Sequence, residues 1–189
     1  MIPKSKVCFV DIFGTRGYTK QDGKGEYALF LEGIPIGETS GHVAGRQLLE
    51  RMYRHYAGTP MPDIAVTERG KPYFTDSPWH FSISHSKGHV FCALSQNPVG
   101  IDAEELDRDI NLKLAEKILS PMERQQFDRA SDQRTALLTF WVLKEAQAKM
   151  TGEGLHGYPN HTEFMLTDPR VLKLQDCLVA VIEEEDHVI

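Results

Sequence analysis

Cysteine is scarce in this chain, and basic residues are fewer than acidic ones. The 189 residues include three cysteines that lie far apart and form no C-x-x-C pair, namely Cys8, Cys92 and Cys177. An odd number of isolated cysteines in apolar runs argues against a disulfide framework and against a zinc site. Reduced thiols in the cytoplasm are therefore expected. The formal net charge of −6 argues against nucleic acid as the main partner.

Long apolar runs are also absent. No stretch approaches the ~20 continuous apolar residues that a membrane span requires, so no membrane partner is expected. The first apolar run is short and is interrupted by Asp11, so we interpret it as a strand rather than as a signal peptide. The chain length suits one domain or two small halves that share an interface. We expect a cytoplasmic monomer.

Apolar periodicity and turn residues predict a mixture of strands and helices. Alternation predicts strands at residues 6–13, 64–67, 73–74, 80–84, 90–94, 99–103, 162–166 and 177–183. Helical spacing predicts helices at residues 42–56, 112–119 and 132–150, and one more that begins at a capping box in residues 120–123. Residues 14–41 are interpreted as mostly loop. The predicted fold class is therefore α+β.

The order strand, helix, strands occurs twice along the chain. We therefore expect two similar halves that meet near Pro98, with residues 1–98 as an N-terminal α+β half and residues 99–189 as a C-terminal α+β half. No residue-level repeat accompanies this order, so the prediction depends on the order of elements alone.

Residues 100–104 carry the first group of candidate functional residues. Side chains two apart on a strand point to the same face, so Asp102 and Glu104 would lie side by side. Paired carboxylates repel each other unless a proton or a cation lies between them, and Mg²⁺ prefers oxygen ligands that it can share with phosphates. The alternative is a solvated strand edge, and this short pattern taken alone favours that alternative.

The helix predicted at residues 132–150 carries a third acidic candidate. Glu145 lies four residues after Trp141, on a stripe of large apolar side chains, where a carboxylate is costly unless it is paired or binds metal. One interpretation is an exposed pair with Lys149, worth ~0.3–0.5 kcal/mol. The other is a third metal ligand flanked by two phosphate-binding lysines, Lys144 and Lys149. Periodicity leaves both open.

Residues 84–86 read S-H-S at the end of a predicted strand. Two hydroxyls and an imidazole at a strand end suit anion binding. A hydrolase triad is a rival interpretation, but the chain lacks G-x-S-x-G, and neighbours in sequence do not form a triad. A simple polar turn is the third possibility.

Together and in this order, these motifs resemble one family, the 4′-phosphopantetheinyl transferases of the larger, surfactin-synthetase-activating type. That type shows G-K-P, a strand that ends in S-H-S, then G-x-D-x-E, then W-x-x-K-E-A-x-x-K with a trailing G-x-G-L. This chain carries these motifs at residues 70–72, 84–86, 100–104, 141–149 and 152–155. The resemblance covers residues 41–155.

The resemblance implies two similar α+β halves related by a pseudo-twofold axis, with the active site in the cleft between them. It implies a holo-[acyl-carrier-protein] synthase type of enzyme. Such an enzyme moves the 4′-phosphopantetheine group of coenzyme A to a serine of an apo acyl or peptidyl carrier protein, and it releases 3′,5′-ADP. Fatty-acid, polyketide and nonribosomal peptide synthesis all remain open as pathways.

The resemblance also implies roles for individual residues. It implies that Mg²⁺ is held by Asp102, Glu104 and Glu145. It implies catalytic roles for Glu145, Lys149 and His85, with Glu145 accepting the serine proton directly or through water. It implies that coenzyme A is held by Arg46, Lys71, Ser84, His85, Lys144 and Lys149.

Two alternative functions use the same residues. The first is a magnesium-dependent phosphohydrolase, in which water is the nucleophile. The second is a module that binds coenzyme A or a carrier protein without catalysis. The chain departs from the family pattern at Ala103, where a bulkier apolar residue is common, and its N-terminal nucleotide contacts cannot be placed in residues 14–37.

Overall fold

The structure is a computed structural model that describes residues 7–12, 15–20, 29–154 and 162–184. Its N-terminal elements are β1 (Val7–Ile12), β2 (Thr15–Lys20), β3 (Leu29–Pro35), α1 (Gly41–Tyr56), β4 (Ile64–Val66), β5 (Pro72–Phe74), β6 (His80–His85) and β7 (His89–Ser95). The remaining elements are β8 (Val99–Glu105), a 3₁₀ turn (Leu112–Leu114), α2 (Ala115–Ile118), α3 (Pro121–Arg129), α4 (Gln133–Thr151), β9 (Val171–Leu174) and β10 (Cys177–Glu183).

All paired strands are antiparallel. Two three-stranded sheets have the orders β3-β7-β6 and β8-β10-β9, and two hairpins pair β1 with β2 and β4 with β5. Helix α1 packs on the first three-stranded sheet, and α4 packs on the second. Helices and antiparallel sheets are thus both present, and the predicted α+β class is confirmed. No helix in the described ranges is long and apolar enough to cross a membrane.

Alternation along β8 and β10 separates the interior into distinct clusters. The side chains of Ile101 and Val179 join Leu31 and Phe91 between the two sheets. Leu178 and Ala180 face the other way and pack under α4. Since residues two apart share a face, Asp102 and Glu104 point from β8 toward α4 and not into the core between the sheets.

Local sequence signals position the helices as expected. The Ser40 hydroxyl accepts a hydrogen bond from the Val43 N–H at the start of α1. At the start of α3, Ser120 and Glu123 form both hydrogen bonds of a capping box. Helix α4 ends at Gly152, whose φ of 73° lies in the left-handed region that favours glycine.

Helix α4 lies in direct backbone contact with β8 at Gly100. A Cβ atom added to this glycine would overlap the carbonyl oxygen of Ala146 and the amide nitrogen of Met150. Only glycine permits this approach without moving the helix. The contact brings the last turns of α4, which carry Glu145 and Lys149, against the acidic face of β8.

Three predictions of local structure were wrong. Residues 14–41 contain two strands, β2 and β3, as well as loop. In β3 the sequence pattern was obscured by Glu32, which is buried and accepts hydrogen bonds from Arg51 and Tyr56, each at 2.9 Å. Strand β9 was not predicted. Its four residues are bounded by turns, and they pair with β10.

The third error concerns residues 162–166, which were predicted to form a strand. Side chains of α3 satisfy their backbone N–H groups instead: the Phe164 N–H donates to Glu123 at 3.0 Å, and the Leu166 N–H donates to Gln126 at 2.9 Å. Only Phe164 is deeply buried there. The apolar pattern therefore reflected one anchoring side chain and not a strand.

Candidate functional site

A cavity of about 610 Å³ lies between α1, the β4–β5 hairpin, the end of β6 and the last turns of α4. Its lining includes cationic and imidazole side chains from four different elements or turns: His42, Arg46, Arg69, Lys71, His85 and Lys149. The lining also includes one carboxylate, that of Glu145. A concentration of basic groups in a protein of net charge −6 suits a ligand with several negative charges.

Lys71 spans the cavity edge from the β4–β5 hairpin to α4. Its ammonium donates a hydrogen bond to the Met150 carbonyl, and its aliphatic stem packs beside Gly152. Burial lowers the pKa of Lys71, and the charge of Glu184 partly opposes this effect. The hairpin and the C-terminal end of α4 are thus joined through a lysine that the sequence places in the G-K-P motif.

Asp102 lies at the centre of a hydrogen-bonded group beside the cavity. Its Oδ1 accepts hydrogen bonds from the Ser84 hydroxyl at 3.0 Å and from the Lys149 ammonium at 2.7 Å. Lys149 also lies 3.1 Å from the Ser84 hydroxyl. Asp102 Oδ2 is buried and has no hydrogen-bond partner among the residues that the structure describes. An orphaned buried carboxylate oxygen leaves a position for a cation or a donor.

Ser84 is buried and faces β8 instead of the cavity. Its hydroxyl accepts a hydrogen bond from the Ala103 N–H at 3.1 Å, and Ser82 accepts one from the Ile101 N–H at the same distance. The alternating serines of β6 therefore satisfy alternate N–H groups of β8 where no backbone ladder joins the two strands. Of the S-H-S motif, His85 is exposed and lines the cavity.

Glu104 is held by two donors on one of its oxygens. Arg108 forms an ion pair with Glu104 Oε1, and the Trp141 indole N–H donates to the same oxygen at 3.2 Å. The Arg108 guanidinium also lies 5.6 Å from the centroid of the Trp141 ring. Sequence reasoning missed Arg108, and the signal that could have found it is its position four residues after Glu104.

The three carboxylates destabilise one another in their ionised forms. Burial and then the charge of Asp102 raise the pKa of Glu145 to about 7, with Lys149 opposing the rise. Burial and then the charge of Asp102 also raise the pKa of Glu104, while Arg108 lowers it. The charges of Asp102 and Glu104 thus act on Glu145.

The donor set fits a hard divalent cation. It consists of carboxylate oxygens alone, one of them buried and unsatisfied, and their mutual repulsion would be relieved by positive charge. In this conformation, however, no three acidic, histidine or cysteine side chains within the described ranges converge closely enough to hold a metal ion. Asp102 instead forms an ion pair with Lys149, and Glu104 forms one with Arg108.

Lys144 does not lie where the sequence analysis expected. It is completely buried, its ammonium lies 2.9 Å from a Glu123 oxygen, and it is 5.7 Å from the centroid of the Phe164 ring. It does not line the cavity, because it points from the opposite side of α4 into the core. Lys144 therefore forms an ion pair with Glu123 within the core instead of the expected contact with a phosphate.

The remaining candidates lie together. Arg46, Lys71, His85, Glu145 and Lys149 all line the cavity. Lys149 donates hydrogen bonds to Asp102 and Ser84, and the Trp141 indole of the same helix donates one to Glu104.

Comparison with known proteins identifies the region that carries this site. Residues 98–179 match the 4′-phosphopantetheinyl transferase superfamily. This part of the chain belongs to that superfamily. The family resemblance inferred from the motifs is thus confirmed, and the matched region includes all three carboxylates as well as Lys149.

Relatives over longer stretches carry the same family name. The chain is 36% identical over 143 residues to 4′-phosphopantetheinyl transferase psf-1 of Bacillus pumilus, which covers 72% of this chain and 59% of the relative. It is 30% identical over 131 residues to the transferase gsp of Aneurinibacillus migulanus, covering 67% and 54%. It is 34% identical over 120 residues to the transferase Sfp of Bacillus subtilis strain 168, covering 61% and 51%. The matched stretches thus span between about half and three fifths of these phosphopantetheinyl transferases.

Proposed function

We propose that this protein transfers the 4′-phosphopantetheine group of coenzyme A to a serine of an apo acyl or peptidyl carrier protein. One observation carries the proposal: a cavity lined by Arg46, Lys71, His85 and Lys149 adjoins the carboxylates of Asp102, Glu104 and Glu145. Coenzyme A has three phosphate groups and requires such cations, whereas transfer of its arm requires a base beside the diphosphate. The relatives' names agree with this chemistry.

In this proposal, some residues of the site bind the phosphates of coenzyme A and another accepts the serine proton. Arg46, Lys71, His85 and Lys149 hold the phosphates by charge-assisted hydrogen bonds. The carrier serine then attacks the β-phosphorus, and 3′,5′-ADP leaves. Glu145 accepts the serine proton directly or through water. Lys149 and His85 stabilise the charge that develops on the phosphate oxygens.

A magnesium ion is part of this proposal. Asp102, Glu104 and Glu145 would hold it, and Mg²⁺ supplies neutralisation of the diphosphate charge when bound. The unsatisfied Asp102 Oδ2 and the raised pKa values of the other two carboxylates support this assignment. Ser84 contributes through Asp102, because its hydroxyl orients the carboxylate instead of contacting the cavity.

We further propose that the chain consists of two halves related by a pseudo-twofold axis, with a boundary at Pro98 and the coenzyme A cleft between them. The connectivity supports this division. In the β3-β7-β6 sheet the first strand precedes a helix, and the last strand of the half lies in the middle. The β8-β10-β9 sheet has the same order of first, last and intermediate strand, again with a helix after the first.

Mass spectrometry of intact carrier proteins tests the proposed function. The protein is incubated with coenzyme A, Mg²⁺ and a panel of purified apo carriers. One phosphopantetheine should be added to at least one carrier. Cleavage of coenzyme A without an adduct would indicate a phosphohydrolase, and neither reaction would indicate a binding module.

Variants of the carboxylates locate the activity in this site. Asp102→Ala and Glu104→Ala should abolish transfer and retain a native circular dichroism spectrum. Glu50→Ala is the matched control, because Glu50 is exposed on α1 and pairs with Arg54 in the next turn. Normal turnover by either site variant in Mg²⁺ would refute the metal assignment.

A further inference from the structure

We propose that Arg108 is an internal counter-ion of the carboxylate site, which neutralises Glu104 before ligands bind and competes with the divalent cation for it. This inference is conditional on the proposed function, because it assumes that Glu104 is a metal ligand. Nothing in the family resemblance or in the motifs assigns a role to Arg108.

The contacts of Glu104 show what the cation must displace. Its Oε1 already accepts from the Arg108 guanidinium and from the Trp141 indole. The guanidinium lies beside the Trp141 ring, which holds it over the same carboxylate. A metal ion that uses this oxygen therefore has to move Arg108 or share the oxygen with it.

The backbone that carries Arg108 is fixed against α4. The Arg108 N–H donates to the Glu105 carbonyl at 3.0 Å, which closes the turn after β8. From α4, the Arg134 guanidinium donates to the carbonyl of Leu106 and, at 3.4 Å, to that of Arg108. The arginine is thus presented to Glu104 by a turn that is anchored on the same helix as Glu145.

Lys149 is a second cationic side chain that pairs with a carboxylate of the site. The Lys149 ammonium lies on Asp102 Oδ1 at 2.7 Å, so each of the two β8 carboxylates has a cation of the chain beside it. In the same conformation, no three acidic, histidine or cysteine side chains of the described residues converge around one point. The side chain of Arg108 is 38% exposed, and pairs with such access to water contribute little stability, so the guanidinium can leave at small cost.

The expected consequence is a competition with a definite sign. Removing the arginine charge frees Glu104 and removes repulsion of the incoming metal, so a divalent cation should bind more tightly. Coenzyme A brings negative charge that attracts both the metal and the displaced guanidinium. The advantage gained by removing Arg108 should therefore shrink when coenzyme A is present.

The test is a Mn²⁺ titration that follows the electron paramagnetic resonance signal of the free ion, first without coenzyme A and then with it. Arg108→Gln should bind Mn²⁺ about two- to fivefold more tightly than the wild type, the range that exposed ion pairs span. Arg108→Lys, which retains the charge, should stay near the wild-type value. Arg170→Gln is the matched control, because Arg170 is 42% exposed, pairs with Asp168 and lies 5.5 Å from the Phe164 ring centroid.

Each result decides the inference. Tighter binding by Arg108→Gln alone, with the difference reduced by coenzyme A, supports it. Unchanged or weaker binding, equal tightening by Arg170→Gln, or no Mn²⁺ binding by the wild type and Arg108→Gln alike would overturn it. The carrier assay distinguishes the two failures, since carrier modification by a protein whose Mn²⁺ affinity ignores Arg108 overturns the counter-ion inference alone. Absence of transfer to every carrier overturns the proposed function.

Discussion

The ammonium of Lys144 lies 2.9 Å from a carboxylate oxygen of Glu123, and water reaches neither side chain. Glu123 also accepts hydrogen bonds from the N–H groups of Ser120 at 2.8 Å and Phe164 at 3.0 Å. One carboxylate thus joins α3, α4 and the segment that follows α4. Lys144, which the motif places next to Glu145 in sequence, thus points into the core from the other side of α4.

Removing one partner of this buried pair should strongly destabilise the protein. Lys144→Met leaves Glu123 charged and unpaired, which costs about 3–5 kcal/mol of unfolding free energy. Adding Glu123→Gln should recover part of the loss, because the glutamine removes the unpaired charge and keeps an acceptor for one of the two N–H groups. Urea unfolding measures both values. Calorimetry should find wild-type coenzyme A affinity in the double variant, and a clear loss of affinity there would restore Lys144 to the phosphate site.

The raised pKa of Glu145 predicts a pH-dependent stability in the absence of metal. The folded state favours the protonated form, so the carboxylate destabilises the fold above its pKa of about 7 and not below the unfolded value of about 4.5. Glu145→Gln should therefore raise the unfolding free energy at pH 8 on the order of 1 kcal/mol, allowing for partial solvent screening. The gain should disappear toward pH 4.5.

Thermal unfolding in a chelator at several pH values measures this difference. Glu50→Gln is the control on an exposed glutamate of α1, and its effect should not follow the same pH profile. A Glu145→Gln effect that is constant from pH 5 to pH 8 would contradict the assignment of a raised pKa.

Loss of cavity cations should weaken coenzyme A binding. His85→Ala and Lys149→Ala each remove a group that lines the cavity, and charge-assisted hydrogen bonds of this kind correspond to affinity losses of about tenfold or more. Coenzyme A lacking its 3′-phosphate should change at least one of these losses. Calorimetry in a chelator separates this effect from metal binding, with His55→Ala on the exposed face of α1 as the control. Wild-type affinity in both site variants would exclude them from the binding site.

The carrier protein is expected to dock on residues 111–129. Carriers of this kind are typically acidic, as the family resemblance implies, and a protein of net charge −6 needs a local basic patch to attract one. Lys113 and Lys117 are exposed, as are Leu112 and Met122, whereas Ile118 and Phe127 of the same segment are buried in the core.

Charge reversal tests this docking surface. A Lys113→Glu, Lys117→Glu variant should have a raised KM for the carrier and an unchanged KM for coenzyme A, and salt should reduce the difference. An Arg54→Glu, Lys173→Glu variant changes the net charge equally at exposed positions elsewhere. Equal effects of the two variants, or none from the first, would remove residues 111–129 as the docking surface.

Local signals made much of the fold predictable. Ser40, the capping box at Ser120 and the left-handed Gly152 are each determined by a few neighbouring residues, and the helices begin or end there as expected. Strand β3 escaped prediction because its buried Glu32 depends on Arg51 and Tyr56, which are distant in sequence. Pairings of that kind are decided by tertiary contacts.

The residues of the site likewise divide into those placed by local sequence and those placed by tertiary contacts. The shared face of Asp102 and Glu104 follows from strand geometry, whereas helical periodicity left two interpretations of Glu145 open. The direction of Lys144 could not follow from the motif, because its partner Glu123 lies on another helix. Arg108 was missed although it lies only four residues after Glu104, because the turn that brings it back to that carboxylate is held by Arg134 of α4.

The contact between Gly100 and α4 fixes the distance between β8 and the helix beside it. At this point two main chains touch, and no side chain stands between them that could swap rotamers or be trimmed by a methyl group. The distance between the acidic groups of β8 and Glu145 of α4 is thus set by a direct contact between two main chains. The G-x-D-x-E motif consequently specifies a spacing with its first residue and supplies two charges with its third and fifth.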